Sequence, residues 1–238
     1  TFNSSSYSEN SSCNYTSNFN GTSAAAPTVS GVVALMLEAN STLTWRDVKH
    51  ILATTSTQID SSKSKSYLGV TQYEWITNAA GRKFHNWYGF GKANAAAAVS
   101  AAQSYSAGSL GTFLSTPTIS TGTINSNFNS VTSTSYQLTA SALSGSDFVE
   151  FVRIGIGMTH ARPYDVGMRL TSPDGTTVNI MNAFTYVTAN PNGTRFELGI
   201  NSLYGEGIAG TWTLIIDEYT NDGVSGTLNG WDIKIYGH

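Results

Sequence analysis

Ser23 occupies the most chemically suggestive position in this 238-residue sequence, within the string Gly21-Thr22-Ser23-Ala24-Ala25-Ala26-Pro27. A serine hydroxyl becomes a nucleophile at neutral pH only when a neighbouring base, usually a histidine oriented by a carboxylate, takes its proton. At the start of a helix, the backbone amide of such a serine points out of the helix end and can stabilise an oxyanion. The Gly-Thr-Ser triplet by itself favours a simple helix N-cap, whereas the whole string predicts the nucleophile of a serine hydrolase.

The segment that follows Ser23 must position it, and its composition predicts a helix from about Ser23 to Ala39. Its apolar residues are interleaved with small ones and include Val29, Val32, Val33, Leu35, Met36 and Leu37. Because this helix is apolar nearly all round, we expect it to be buried. Pro27 is compatible with the helix if it lies in the first turn, where its missing amide would have no intrahelical partner.

Two further helices are expected in the first hundred residues. Thr44 is placed to cap an amphipathic helix in which Asp47 stands at the third position. The alanine-rich residues 92–102 have the highest helix propensity available. Residues 56–86 are too irregular to assign, apart from a possible short strand near residues 73–76.

Beyond an uncharged Ser/Gly/Thr stretch that begins at residue 104, the apolar pattern changes from a helical period to alternation. The turn signal Ser172-Pro173-Asp174-Gly175 joins two alternating runs, and Asn221-Asp222-Gly223 marks another turn. Short alternating strands with turns between them predict an antiparallel β-sandwich with Trp212 and Trp231 in its core. The alternating apolar residues are Val152, Ile154, Ile156, Met158, Val166, Met168, Leu170, Trp212, Leu214, Ile216, Trp231, Ile233 and Ile235.

Composition narrows the classes of partner. The net charge is −3, only 11% of residues are charged, and lysine and arginine form no cluster, which argues against nucleic acid or an anionic membrane as partners. No uninterrupted apolar run approaches the roughly 18 residues of a membrane span, and the N-terminus has no signal-peptide pattern, so we expect a soluble, processed product. Cys13, the single cysteine, is expected to be a partly buried free thiol or to pair with another polypeptide or a removed segment.

The chain resembles the subtilisin-like serine proteases (subtilases), whose nucleophile motif is Gly-Thr-Ser followed by small residues and proline. The strings Leu43-Thr44-Trp45-Arg46-Asp47-Val48 and Trp87-Tyr88-Gly89-Phe90-Gly91 resemble the kexin and furin branch, the proprotein convertases. Downstream, Leu170-Thr171-Ser172-Pro173-Asp174-Gly175-Thr176 and Gly226-Thr227-Leu228-Asn229-Gly230-Trp231 resemble the P domain of that branch, a jelly-roll sandwich. One departure is Asn94, where the family more often has aspartate, at what we expect to be a structural position.

The resemblance implies an α/β subtilase domain with an Asp-His-Ser triad, an asparagine in the oxyanion hole and calcium sites whose ligands we do not place. In the family order the aspartate and histidine precede the serine, and the 22 residues before Ser23 contain neither. Only Ser23 can therefore be carried over as a catalytic residue. The histidines of the chain, His50, His85, His160 and His238, are interpreted as structural or solvent-exposed, since none has the Gly-rich context of the family's catalytic histidine.

A small acidic cluster, Asp217, Glu218 and Asp222, lies near a turn of the second domain. Carboxylate oxygens are the ligands that calcium prefers, so the cluster could bind this ion. A plain solvated loop is the simpler interpretation, and we favour it.

We therefore expect a serine endopeptidase whose triad aspartate and histidine come from an upstream segment, either as a companion chain or as a lost part of this one. Residues 1–103 would be the C-terminal part of the catalytic domain, 104–111 a linker and 112–238 the P domain. The expected substrate is a peptide or protein, and the expected location is outside the cytoplasm. The alternative is a non-catalytic, exported β-sandwich binding module, which would present exposed aromatic residues on one sandwich face.

Overall fold

The computed structural model describes residues 8–67, 69–129, 133–143, 147–184 and 195–238. They pack as two compact units, Thr1–Ser56 with Ala93–Ser109, and Thr57–Lys92 with Leu110–His238. We call the first the helical unit and the second the sandwich unit. The domain boundaries expected from the sequence stay a prediction; in packing terms, residues 57–92 belong with the sandwich.

The helical unit contains α1 (Thr22–Ala39), α2 (Trp45–Thr55) and α3 (Ala95–Ser104), preceded by a 3₁₀ turn at Ser8–Asn10. These helices confirm the three that the sequence predicts. Asn94 is the N-cap of α3, where its side chain accepts a hydrogen bond from the amide of Ala97 at 3.1 Å, so it is the structural position we expected. The small core of this unit is built from Val32, Met36, Leu43, Ile51, Ala98 and Ala102.

Two polar side chains, the buried Asp47 and the partly buried Asn40, hold the helices of this unit together. Thr44 and Asp47 form the predicted capping box at the start of α2, and Asp47 also accepts a hydrogen bond from the amide of Gly108 at 3.2 Å. Asn40, which follows α1, donates to the carbonyls of Ala102 and Tyr105 at the end of α3, both at 3.0 Å. Each group satisfies backbone atoms that a helix end leaves unpaired.

The expectation that α1 is buried is wrong for the described part of the chain. Only Val32 and Met36 are buried, whereas Val29, Leu35 and Leu37 are 38%, 49% and 38% exposed. The helix has apolar residues on every side, but the rest of the helical unit covers only one side of it. A large apolar area therefore faces solvent.

The exclusion of a membrane span needs correction for the same helix. By length and composition α1 could cross a membrane, with a mean hydropathy of 1.3 over its 18 residues and 11% of that stretch buried. The sequence argument looked for an uninterrupted apolar run, and Ser30 and Gly31 interrupt this one. The mean hydropathy is taken over all 18 residues, so the many alanines and other apolar residues outweigh these two. A core helix of a soluble protein passes the same test.

The sandwich unit consists of antiparallel strands in two main sheets, one in the order β11-β10-β13-β8 and the other in the order β12-β9-β14-β5. Strands β6 and β7 also pair with β14, and β1 pairs with β2 and β3 with β4 outside the main sheets. The bounds are β1 (Lys65–Tyr67), β2 (Val70–Tyr73), β3 (Ile76–Thr77), β4 (Lys83–Phe84), β5 (Leu114–Ser115), β6 (Ile119–Ser120), β7 (Ser126–Phe128), β8 (Thr134–Ala140), β9 (Val149–His160), β10 (Val166–Thr171), β11 (Thr177–Met181), β12 (Arg195–Ile200), β13 (Gly210–Glu218) and β14 (Gly226–Gly237).

The alternating residues predicted from the sequence form the common core of the two main sheets. Trp212 and Trp231 are 0% and 1% exposed, which confirms their placement in the core. The Ser172-Pro173-Asp174-Gly175 turn joins β10 and β11 as an antiparallel hairpin, also as predicted. Gly175 has a φ of +90°, a backbone conformation that glycine adopts without a steric penalty.

Buried polar contacts fasten residues 57–92 to the sandwich loops within the same unit. Asn78 donates to the carbonyls of Ser202 and Tyr204, both at 3.0 Å, and Glu206 accepts from the amide of Ala79 at 2.9 Å. Glu206 is only 1% exposed and also accepts from the hydroxyl of Ser172. The contacts of Asn78 and Ala79 span more than a hundred residues of sequence, and no local pattern predicts them.

Candidate active site

Gly21 sets the direction in which the chain enters α1. Its φ of 78° and ψ of −165° lie in a region of backbone conformation that is essentially restricted to glycine. Its carbonyl accepts hydrogen bonds from the amides of Ala24 and Ala25, at 3.1 and 3.2 Å, which closes the first turn. The amides of Thr22 and Ser23 precede these bonds and therefore have no intrahelical acceptor. The glycine thus has a conformational role that its position in the motif alone did not reveal.

Pro27 lies inside α1 rather than in its first turn, which corrects the sequence argument. The helix begins at Thr22, so Pro27 is its sixth residue, and its missing amide is the one that would bond to the carbonyl of Ser23. That carbonyl is consequently left without its usual helical donor. Both backbone groups of Ser23 are therefore free of intrahelical hydrogen bonds.

The loop before the motif is held by one side chain. Asn10 is 2% exposed, and its amide group donates to the carbonyl of Tyr15 at 2.8 Å while accepting from the amide of Tyr15 at 2.9 Å. Cys13 lies at the tip of this loop with a φ of 53° and is a free, exposed thiol, so the expectation of partial burial is wrong. The role of Asn10 left no sequence signal, since asparagine and serine are common throughout residues 1–20.

Ser23 itself is exposed in the first turn of α1. No side chain among the described residues forms a hydrogen bond with its hydroxyl. His50, the histidine of the helical unit, lies on α2 with its ring 5.8 Å from that of Tyr105. The described part of this unit thus supplies an accessible hydroxyl and a free backbone amide at a helix N-terminus, but it pairs no base with the hydroxyl.

The histidines of the sandwich unit form structural contacts, as predicted; His85 and His160 are buried and His238 is partly exposed. His160 is 1% exposed; its Nδ1 accepts from the amide of Arg162 at 2.9 Å and its Nε2 lies 2.6 Å from Glu218. Burial raises the pKa of Glu218, and the nearby His160 partly offsets that rise.

The two remaining histidines of this unit are also engaged. His85 is completely buried, its Nδ1 accepts from the amide of Trp87 at 3.0 Å, and its ring packs against those of Trp75 and Tyr88. Burial lowers the pKa of His85, so its neutral form is favoured. His238 contacts Glu150 at 2.7 Å. All three contribute to packing inside the sandwich unit.

The expectation of a solvated loop is wrong for Asp217 and Glu218, which are buried in a strand, whereas Asp222 lies in an exposed loop. Asp217 and Glu218 end strand β13, where Arg169 contacts Asp217 through two nitrogens at 2.7 and 2.9 Å and His160 contacts Glu218. Asp222 pairs with Arg162 at 2.5 Å. Because each carboxylate already faces a cation or a buried histidine, the cluster does not fit Ca²⁺. Within the described ranges, no other group of three or more metal-ligating side chains comes together.

Comparisons with known protein families support the resemblance over most of the chain. The model of the subtilase family matches residues 2–91, and the model of the proprotein convertase P-domain matches residues 149–235. The first match contains the motif at Ser23, and the second contains strands β9 to β14. The two matches follow one another as a catalytic domain and a P domain would.

Individual relatives agree with these matches. Proprotein convertase subtilisin/kexin type 6 of Rattus norvegicus is 31% identical over 91% of this chain, and Protease KEX1 of Kluyveromyces lactis is 29% identical over 91%. The serine protease of Aeromonas sobria has a similar structure, with a TM-score of 0.84, 25% identity and coverage of 96% of this chain. The chain spans 23%, 28% and 46% of the lengths of these three proteins. Residues 2–91 thus belong with the subtilase family, and residues 149–235 with the P-domain of the proprotein convertases.

Proposed function

We propose that this chain provides the nucleophile of a serine endopeptidase, and that Ser23 is that nucleophile. The observation that supports the proposal best is the start of α1, where a glycine-only turn presents an exposed serine whose own amide is free. This arrangement supplies two groups that acyl transfer needs, a nucleophile and a hydrogen-bond donor for the oxyanion. The hydroxyl can reach a peptide carbonyl, and the amide can bind the oxygen that becomes negative in the transition state.

The reaction follows from these two groups. A histidine base takes the proton of the Ser23 hydroxyl as its oxygen bonds to the carbonyl carbon of the substrate. The tetrahedral intermediate places its oxyanion at the amide of Ser23, and at the oxyanion asparagine that the family resemblance implies. The base then protonates the leaving amine, and water hydrolyses the acyl-enzyme. The described residues supply the nucleophile and one oxyanion donor.

The base, its aspartate and the oxyanion asparagine are proposed to come from an upstream segment of the catalytic domain, in the same polypeptide or as a companion chain. The exposed apolar face of α1 supports this part of the proposal, because Val29, Leu35 and Leu37 have no covering partner in the described residues. Each square ångström of apolar surface removed from water contributes about 25 cal/mol, so a covering segment would bind this face favourably. This is the class of helix that lies in the core of a catalytic domain.

Export and calcium dependence belong to the proposal at the level of the family. The low content of charged residues, 11%, and the abundance of serine, threonine and asparagine are typical of exported β-rich proteins. The implied calcium would be bound by groups outside the described acidic cluster, and no catalytic step depends on it. The proposed substrates are peptides or proteins.

A binding module without catalysis has less support. That hypothesis expects exposed aromatic residues on one sandwich face, and Trp212 and Trp231 are instead buried between the two sheets. The exposed aromatic residues described in this unit lie outside the strands of the two main sheets: Tyr67, Trp87, Phe113, Phe148 and Tyr164. We therefore retain the endopeptidase as the proposed function.

A fluorophosphonate probe tests the proposal directly. We expect the full-length polypeptide, with its upstream segment, to be labelled on Ser23, and we expect Ser23→Ala to abolish both labelling and peptide hydrolysis. Ser30→Ala is the matched control, because Ser30 is an exposed serine on the same helix whose hydroxyl only donates to the carbonyl of Ala26. Labelling that persists in the Ser23→Ala variant would refute the assignment.

A further inference from the structure

A cavity of about 280 Å³ lies inside the sandwich unit, between strand β2 and the β10–β11 hairpin. Its lining combines apolar side chains, such as Ile76 and Phe84, with amides and one residue of each charge. Pockets that bind drug-sized ligands usually measure roughly 300 to 1,000 Å³, so this cavity suits a smaller molecule. No catalytic step described above uses it.

Opposite charges line the cavity. Arg169 uses Nε and Nη2 to bind Asp217, at 2.7 and 2.9 Å, which fixes the guanidinium. No described residue accepts a hydrogen bond from its third nitrogen, Nη1, so this donor is available to a carboxylate. Glu74 is exposed and also lines the cavity, and its carboxylate has no cationic partner among the described residues.

Two residues with amide side chains, Gln72 and Asn179, also line the cavity. Gln72 is buried and donates to the carbonyl of Ala183 at 2.7 Å, while Asn179 donates to the carbonyl of Gln72 at 3.1 Å. Because these bonds fix the nitrogen of each amide, the side-chain oxygens are left as acceptors. Together with Glu74, they favour a ligand that carries a cationic N–H group.

We propose that this cavity binds a small zwitterion, namely a dipeptide or free amino acid with an apolar side chain. Its carboxylate would face Arg169, its ammonium would face Glu74, and its side chain would rest on Ile76 and Phe84. A ligand with only one charge would leave either the Nη1 donor of Arg169 or the carboxylate of Glu74 without a partner. The inference does not depend on Ser23 or on proteolysis.

Isothermal titration calorimetry with glycyl-leucine tests this proposal on the 238-residue chain. We expect a dissociation constant in the millimolar range or tighter, and at least tenfold weaker binding of N-acetyl-glycyl-leucine and glycyl-leucinamide, since each lacks one charge. Absence of binding up to 10 mM, or equal affinities for the three compounds, would overturn the proposal.

A pair of variants then locates the site. Glu74→Gln removes the acidic charge at the cavity and should weaken glycyl-leucine binding at least fivefold without unfolding the protein, because Glu74 is exposed. Glu38→Gln is the matched control, an exposed glutamate on α1. If the two variants bind glycyl-leucine equally well, the site is not this cavity and the proposal fails. Ser23→Ala should bind as the parent does, so the outcome is separate from that of the proposed protease function.

Discussion

The helical unit and the sandwich unit differ in how they accommodate apolar side chains. Core residues of the sandwich such as Trp212 and Leu214 are completely buried, and buried carboxylates such as Asp217 and Glu218 face arginine or histidine. In the helical unit, Leu35 of α1 is 49% exposed, and Ser23 has no base beside it. A strand that is apolar on one face is satisfied by a single facing sheet, whereas a helix that is apolar all round needs neighbours on every side. The sandwich therefore has a core that is covered on both sides, whereas the core of the helical unit is covered on one side of α1 only.

The largest expected effect tests whether the sandwich core is closed. Trp212→Ala should lower the free energy of unfolding by about 3 to 5 kcal/mol, because it leaves a cavity and removes the indole hydrogen bond to the carbonyl of Ile208. Guanidinium chloride unfolding of the full chain, followed by circular dichroism, measures this loss. A loss below about 1 kcal/mol would mean that this core is loosely packed.

The same contrast explains what could be predicted from the sequence. Alternation located β9, β10, β13 and β14 because each of these strands turns one face to a core inside the chain. The bounds of α1 were predicted because local composition determines them, but its burial was not, because burial depends on neighbours. In residues 57–92 the sequence suggested one short strand near residues 73–76, whereas the structure has one strand ending at Tyr73 and another beginning at Ile76. The other short strands there were missed, since contacts such as that of Asn78 with Ser202 join distant parts of the sequence. At the candidate site, the motif predicts Ser23 as the nucleophile. It did not predict that Pro27 lies beyond the first turn of α1, because that depends on the residue at which the helix begins.

The next effect concerns the attachment of residues 57–92 to the sandwich. Glu206→Gln should cost about 1.5 to 3 kcal/mol, because the buried carboxylate accepts from the amide of Ala79 and the hydroxyl of Ser172. Proteolysis within residues 57–92 should also become faster, as limited trypsin digestion would show. Glu197→Gln is the control, since Glu197 is 50% exposed and should have little effect. Equal digestion rates for both variants would contradict an anchoring role for Glu206.

A smaller and pH-dependent effect is expected at Asp47 in the helical unit. Burial acts to raise the pKa of Asp47, but hydrogen bonds from Thr44 and Gly108 outweigh burial, and the pKa is lowered. A lowered pKa in the folded state contributes stability above the unfolded pKa, about 3.9, and this contribution is lost as the pH falls through the folded value. Asp47→Asn should therefore cost about 1 kcal/mol near pH 6, and its stability should converge with that of the parent near pH 2.

Urea titrations at several pH values measure that convergence. Glu38→Gln, a substitution at an exposed position on α1, should follow the parent at every pH. A constant difference between Asp47→Asn and the parent down to pH 2 would show that the aspartate acts through packing rather than through its charge.

The smallest effect in this chain is the one that tests the exposed apolar face of α1 most directly. Leu35→Ala should change the stability of the 238 residues by less than about 0.5 kcal/mol, because the side chain is half exposed. In the full-length polypeptide the same substitution should cost about 2 to 4 kcal/mol, because an upstream segment would then cover Leu35 and the substitution would leave a cavity. Met36→Ala is the control: Met36 is completely buried already, so it should be costly in both forms. If Leu35→Ala is equally harmless in both, the exposed face of α1 is not completed by an upstream segment, and the source of the missing triad residues must be sought elsewhere.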